Sequence, residues 1–62
     1  MKYVYYTQTK GFEEQKVSLF HACNICKRIE PTITIKEIKE KLHDPYVGEV
    51  IGNDIRVWSE EA

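Results

Sequence analysis

Sixty-two residues make one domain at most, spanning 1–62, and a chain this short buries only about 60% of the surface its unfolded form exposes. Hydrophobic residues form 42% of it, enough for one modest core and too many for a disordered tail, with little room left for a deep catalytic cleft. Nine basic residues against ten acidic ones give a net charge of −1, which argues against a nucleic-acid binder held by phosphate contacts and against a polybasic membrane anchor.

No apolar run reaches the roughly 18 residues that a membrane span needs, and the first ten residues lack the pattern of a secretory signal. The expectation is a soluble, cytoplasmic protein whose two cysteines are reduced thiols.

Lys2–Gln8 is rich in aromatic and β-branched residues and reads as a strand. Side chains alternate along it, so Val4 and Tyr6 point one way and Tyr3, Tyr5 and Thr7 the other. Lys10-Gly11 interrupts it. Phe12–Ile29 carries two patterns. As a helix it sets Phe12, Leu19, Phe20, Cys23 and Cys26 near one stripe, with Glu13 and Glu14 in the first turn, Lys27 and Arg28 in the last, and Pro31 beyond the end. As a strand, Gln15–Ala22 alternates and would pair with the first strand. The end signals favour the helix.

Thr34–His43 is a helix with a capping box, Thr34 and Glu37, and a hydrophobic staple, Ile33 and Ile38. Ile35, Ile38 and Leu42 form its expected buried stripe, and Asp44-Pro45 ends it. Val47–Trp58 reads as a hairpin closed by a two-residue primed turn at Gly52-Asn53, which sets Val50 opposite Ile55 and Glu49 opposite Arg56. Val47, Ile51, Arg56 and Trp58 then share the face away from Val50 and Ile55. Ser59–Ala62 is expected to fray. The assembled reading is an α+β fold, a small antiparallel sheet with two helices on one face in the order β-α-α-β-β. The alternative is β-β-α-β-β. Either fold should bury Ile38, Leu42, Ile55 and Val57.

His21, Cys23 and Cys26 bear the most suggestive spacing. A single Cys-x-x-Cys is half a tetrahedral zinc site, and His21 and His43 are the remaining soft ligands. On a helix, His21 and Cys23 stand about 200° apart and cannot meet one ion. The plainer expectation is two small buried hydrophobes with no metal or cofactor. A redox dithiol is disfavoured because the pair falls near a helix C-terminus, where the dipole opposes thiolate. Thr34–Leu42 resembles the first helix of a helix-turn-helix, but strand-like sequence follows where a recognition helix should stand. No phosphate loop, nucleophile elbow or carboxylate pair is present, so no enzyme is expected.

Four tyrosines and a tryptophan remain to be placed. A two-layer fold covers one face of its sheet, so either Tyr3 and Tyr5 or Val4 and Tyr6 should lie outward, beside Val47 and Trp58 if the strands neighbour, and Tyr, Trp and Arg dominate protein interfaces. The leading expectation is a small non-enzymatic protein–protein binding module, a regulator or inhibitor of the kind carried by phages and mobile elements. Its partner or second copy would meet Tyr3, Tyr5, Val47, Arg56 and Trp58. The alternatives are a small nucleic-acid-binding regulator using helix 34–43 and the C-terminal hairpin, and a zinc-stapled domain.

Overall fold

A computed structural model describes residues 2–62. The chain runs β1 (Tyr3–Thr9), β2 (Gln15–Val17), α1 (Leu19–Ile29), α2 (Ile35–Leu42), β3 (Glu49–Ile51) and β4 (Ile55–Glu61). This is an α+β fold with the two helices of the leading expectation and the four strands of its alternative. The sheet is antiparallel throughout, in the order β2-β1-β4-β3.

Both patterns in Phe12–Ile29 are used, one after the other. Gln15–Val17 pairs with Tyr5–Thr7, and the chain then turns into a helix at Ser18. Ser18 has extended backbone angles, and its hydroxyl oxygen accepts the His21 N–H at 3.1 Å, so it is the N-cap. Glu13 and Glu14 therefore precede the helix instead of filling its first turn. Phe12 and Phe20, expected on the buried stripe, are 70% and 77% exposed. The face that packs is Ala22, Cys23, Ile25 and Cys26, flanked by half-buried Leu19 and Ile29.

In α2 the capping box forms as expected. Thr34 Oγ1 accepts the Glu37 N–H at 3.2 Å, while Glu37 Oε1 accepts the Thr34 N–H at 3.3 Å. Ile33, Ile38 and Leu42 are buried, but Ile35 is half exposed. The residue before the cap, not the first residue of the helix, closes this end of the core. After α2, Asp44 Oδ1 accepts the N–H groups of Tyr46 and Val47, and Gly48, at φ +63°, returns the chain to the sheet.

The β3–β4 hairpin is shifted two residues from the expected register. Val50 faces Val57 and Ile51 faces Arg56, while the Gly52 N–H donates to the Ile55 carbonyl at 2.7 Å, leaving Asn53-Asp54 as the turn. None of Gly52, Asn53 and Asp54 has positive φ, so the turn is not of the primed type. Gly52 serves packing instead. A Cβ there would stand 3.0 Å from Ile29 Cγ1 at the end of α1. The C-terminal segment is not frayed: Ser59–Glu61 continues β4 opposite Tyr3–Tyr5, and the Ala62 N–H donates to the Lys2 carbonyl.

The core lies between the helices and one face of the sheet. Tyr5, Val50 and Val57 supply the sheet side, and Ala22, Cys26, Ile38 and Leu42 the helix side. Ile55 is half buried at its margin. No helix among the described residues is long and apolar enough to cross a membrane.

Candidate functional site: the open face of the sheet

Strand registers define what the helices leave uncovered. Tyr6 lies opposite Lys16 on one side and Trp58 on the other, and Trp58 lies opposite Glu49. One row therefore crosses all four strands in the order Lys16, Tyr6, Trp58, Glu49. Gln8, Arg56 and Ile51 form the next row, and Val4 and Glu60 stand on the other side. Strand alternation puts all of these opposite the Tyr5–Val57–Val50 face, and the core cluster contains none of them.

The aromatic pair at the centre is ordered within the chain. The Tyr6 and Trp58 rings stack at 5.7 Å between centroids, and the Arg56 guanidinium lies 4.2 Å above the Trp58 ring. Arg56 also faces Glu49 at 3.9 Å, and the indole N–H donates to Glu60 at 3.3 Å. Trp58 is consequently only 8% exposed although it lies on an uncovered sheet. Tyr6 and Arg56 form the surface, and Trp58 is its floor.

Of the five residues expected to form the contact surface, the structure brings only Arg56 and Trp58 together. Tyr5 is buried on the opposite face, where its hydroxyl meets His43 Nε2 at 2.7 Å. Tyr3 stacks on the same imidazole with centroids 3.9 Å apart. Val47 is exposed in the loop before β3, outside the sheet. Val4, Tyr6, Lys16 and Glu49 take their places. The alternation of β1 was readable, but which of its faces met Trp58 depended on the β1–β4 register.

Burial dominates the titrating groups beneath the helices. It raises the Tyr5 hydroxyl, with Cys23 and Tyr3 adding to the effect, and lowers His43, assisted by the charge of Lys39. The Cys26 thiol is pushed up to about 11 by burial, then by Cys23 and Glu30, with Lys41 opposing. Cys23 and Cys26 are both free and buried, His21 is exposed, and His43 is engaged by the two tyrosines. Among the described residues, no group of three His, Cys, Asp or Glu side chains is placed to hold a metal ion.

The surface expected for nucleic acid is also divided. Lys36 and Lys39 are exposed on α2, behind the sheet, whereas Arg56 and Trp58 face forward. A base-stacking platform needs an open ring face, and Tyr6 and Arg56 already cover Trp58. In a cleft of about 330 Å³, the lining side chains of Tyr3, His43, Asp44 and Ser59 already bond within the chain.

Fold and site together define a small α+β domain that presents an ordered aromatic and charged sheet face. In comparisons with known proteins, no family model, curated protein or solved structure matches the chain.

Proposed function

We propose that this chain is a small non-enzymatic protein–protein binding module, a regulator or inhibitor in type, that meets its partner through the open face of the sheet. The observation that carries this reading is the Tyr6–Trp58–Arg56 stack, held in place on the face opposite both helices. Tyr, Trp and Arg are the side chains that most often carry interface energy, and a surface already ordered in the free chain loses little entropy on binding. Lys16, Glu49 and Glu60 give this aromatic centre a charged rim of both signs, as protein contacts have and phosphate-binding surfaces do not.

The test is photo-crosslinking in the native host with p-benzoylphenylalanine in place of Tyr6, and separately in place of Phe20. Phe20 is exposed on α1, behind the sheet. The expected result is a discrete protein adduct from position 6, another protein or a second copy, and none from position 20. Adducts from position 20 alone, or from neither, would remove the reading.

A further inference from the structure

The row Lys16–Tyr6–Trp58–Glu49 is basic at one edge of the sheet, aromatic in the middle and acidic at the other edge. Two copies placed face to face can be related by a two-fold axis lying either across or along the strands. An axis across the strands sets each strand over itself, bringing Lys16 over Lys16 and Glu49 over Glu49. An axis along the strands, between β1 and β4, sets β2 of one copy over β3 of the other. Lys16 then lies over Glu49, which also faces Arg56 of its own chain, at both edges, and Tyr6 lies over the strand position of the Arg56-covered Trp58 at the centre. The first arrangement also lays Arg56 over Glu60 of the other copy, but it sets like charges opposite each other at both edges. The second pairs opposite charges at both edges and sets no like charges directly over one another, and it is compatible with the usual aligned packing of two twisted sheets.

From this self-complementary row we infer that the partner of the open face is a second copy of this chain, docked face to face about a two-fold axis parallel to the strands. The inference rests on the reading of the open face as a contact surface, and adds who occupies it. Two strands of seven residues and two of three, about 4.8 Å apart and rising about 3.3 Å per residue, give a face on the order of 300 Å² per copy. That is small for a permanent dimer, so the association is weak and concentration-dependent. Its rim pairs join an exposed Lys16 to a half-buried Glu49 at the edges of the sheet, so salt weakens it further.

Sedimentation of the untagged full chain at low salt, from about 10 µM to about 1 mM, tests this directly. The wild-type chain is expected to dimerise across that range. Lys16→Glu alone and Glu49→Lys alone each place like charges at both edges, weakening the homodimer about tenfold, the equivalent of about 1.4 kcal/mol. An equimolar mixture of the two variants restores both opposite-charge pairs in the heterodimer and should return association close to the wild-type level. A variant that had failed to fold could not be rescued in this way.

A wild-type chain that stays monomeric to about 1 mM would overturn the inference, as would single variants that associate like wild type or a mixture no stronger than its components. A monomeric chain whose position 6 crosslinks to a different protein would overturn the self-partner alone and leave the binding face standing. A monomeric chain with no crosslink from position 6 would remove both.

Discussion

Replacing Trp58 by Ala should destabilise the fold enough that lost association in this variant would report unfolding and not a missing contact. The indole is 8% exposed, stacked on Tyr6 and covered by Arg56. A tryptophan so covered removes about 200 Å² from water, worth about 5 kcal/mol at 25 cal/mol per Å², an upper bound because the unfolded chain also buries surface. The site opens to solvent, so water can fill the space and no closed cavity remains, which puts the expected loss near the low end of aromatic truncations, about 3 kcal/mol. A domain of this length has a total stability of only about 3–9 kcal/mol. Arg56→Ala removes only an exposed cation–π contact and an exposed ion pair, about 1 kcal/mol in all. Urea denaturation followed by circular dichroism, at concentrations too low for self-association, measures both variants. If Trp58→Ala cost less than about 1 kcal/mol, the indole would not be the floor of the open face, and the division between supporting and contacting residues would fail.

Two further predictions concern the interior. In Gly52→Ala, the new methyl meets Ile29 Cγ1 at 3.0 Å, and crowding of about 1–3 kcal/mol outweighs the gain of about 0.4–1 kcal/mol from a stiffer unfolded chain, so the melting temperature should fall by several degrees. In an Ile29→Ala background the same change should become neutral or stabilising, and a rise in the wild-type background would contradict the close approach. Cys26, titrating near 11 against an ordinary value of 9.0, should resist alkylation at neutral pH until the chain unfolds, as measured in a Cys23→Ala background. The folded state keeps a proton that the unfolded state releases, so the contribution of Cys26 is fully present below about pH 9 and is lost as pH rises towards 11. Cys26→Ala should flatten that alkaline slope, and rapid labelling of Cys26 in the folded chain would contradict its burial.

Signals confined to a few neighbouring residues were legible in the sequence. The capping box at Thr34 and Glu37 forms as read, because it is satisfied within one turn of backbone, and Ile33 and Ile38 of the expected staple are both buried. Phe12–Ile29 is harder because a helical stripe over the whole stretch and strand alternation over Gln15–Ala22 overlap in the same residues. Ser18, an N-cap three residues before His21, was the sign that marked the join. Without it, Phe12 and Phe20 looked like members of a helical stripe, although they lie in a loop and on the exposed side of α1. The hairpin turn was misplaced because Gly52 suits a primed turn, while the constraint on it comes from Ile29, 23 positions away in sequence.

The open face shows why a register can be wrong and its consequence still right. Moving the turn from Gly52-Asn53 to Asn53-Asp54 shifts the pairing by two residues, and a shift of two preserves the side on which every side chain lies. Arg56 and Trp58 therefore share a face opposite Val50 under either turn, and Glu49 still reaches Arg56, now along a diagonal. No such parity fixed the first strand, where Tyr3 and Tyr5 are as aromatic as Tyr6. On the inward face a buried tyrosine hydroxyl needs a partner, and His43 at the end of α2 meets the Tyr5 hydroxyl while its ring stacks on Tyr3. With Tyr5 anchored inward, alternation turns Tyr6 outward onto Trp58, and the basic-to-acidic row follows from the pairing of the four strands. The imidazole behind the sheet thus helps decide which aromatic ring faces front.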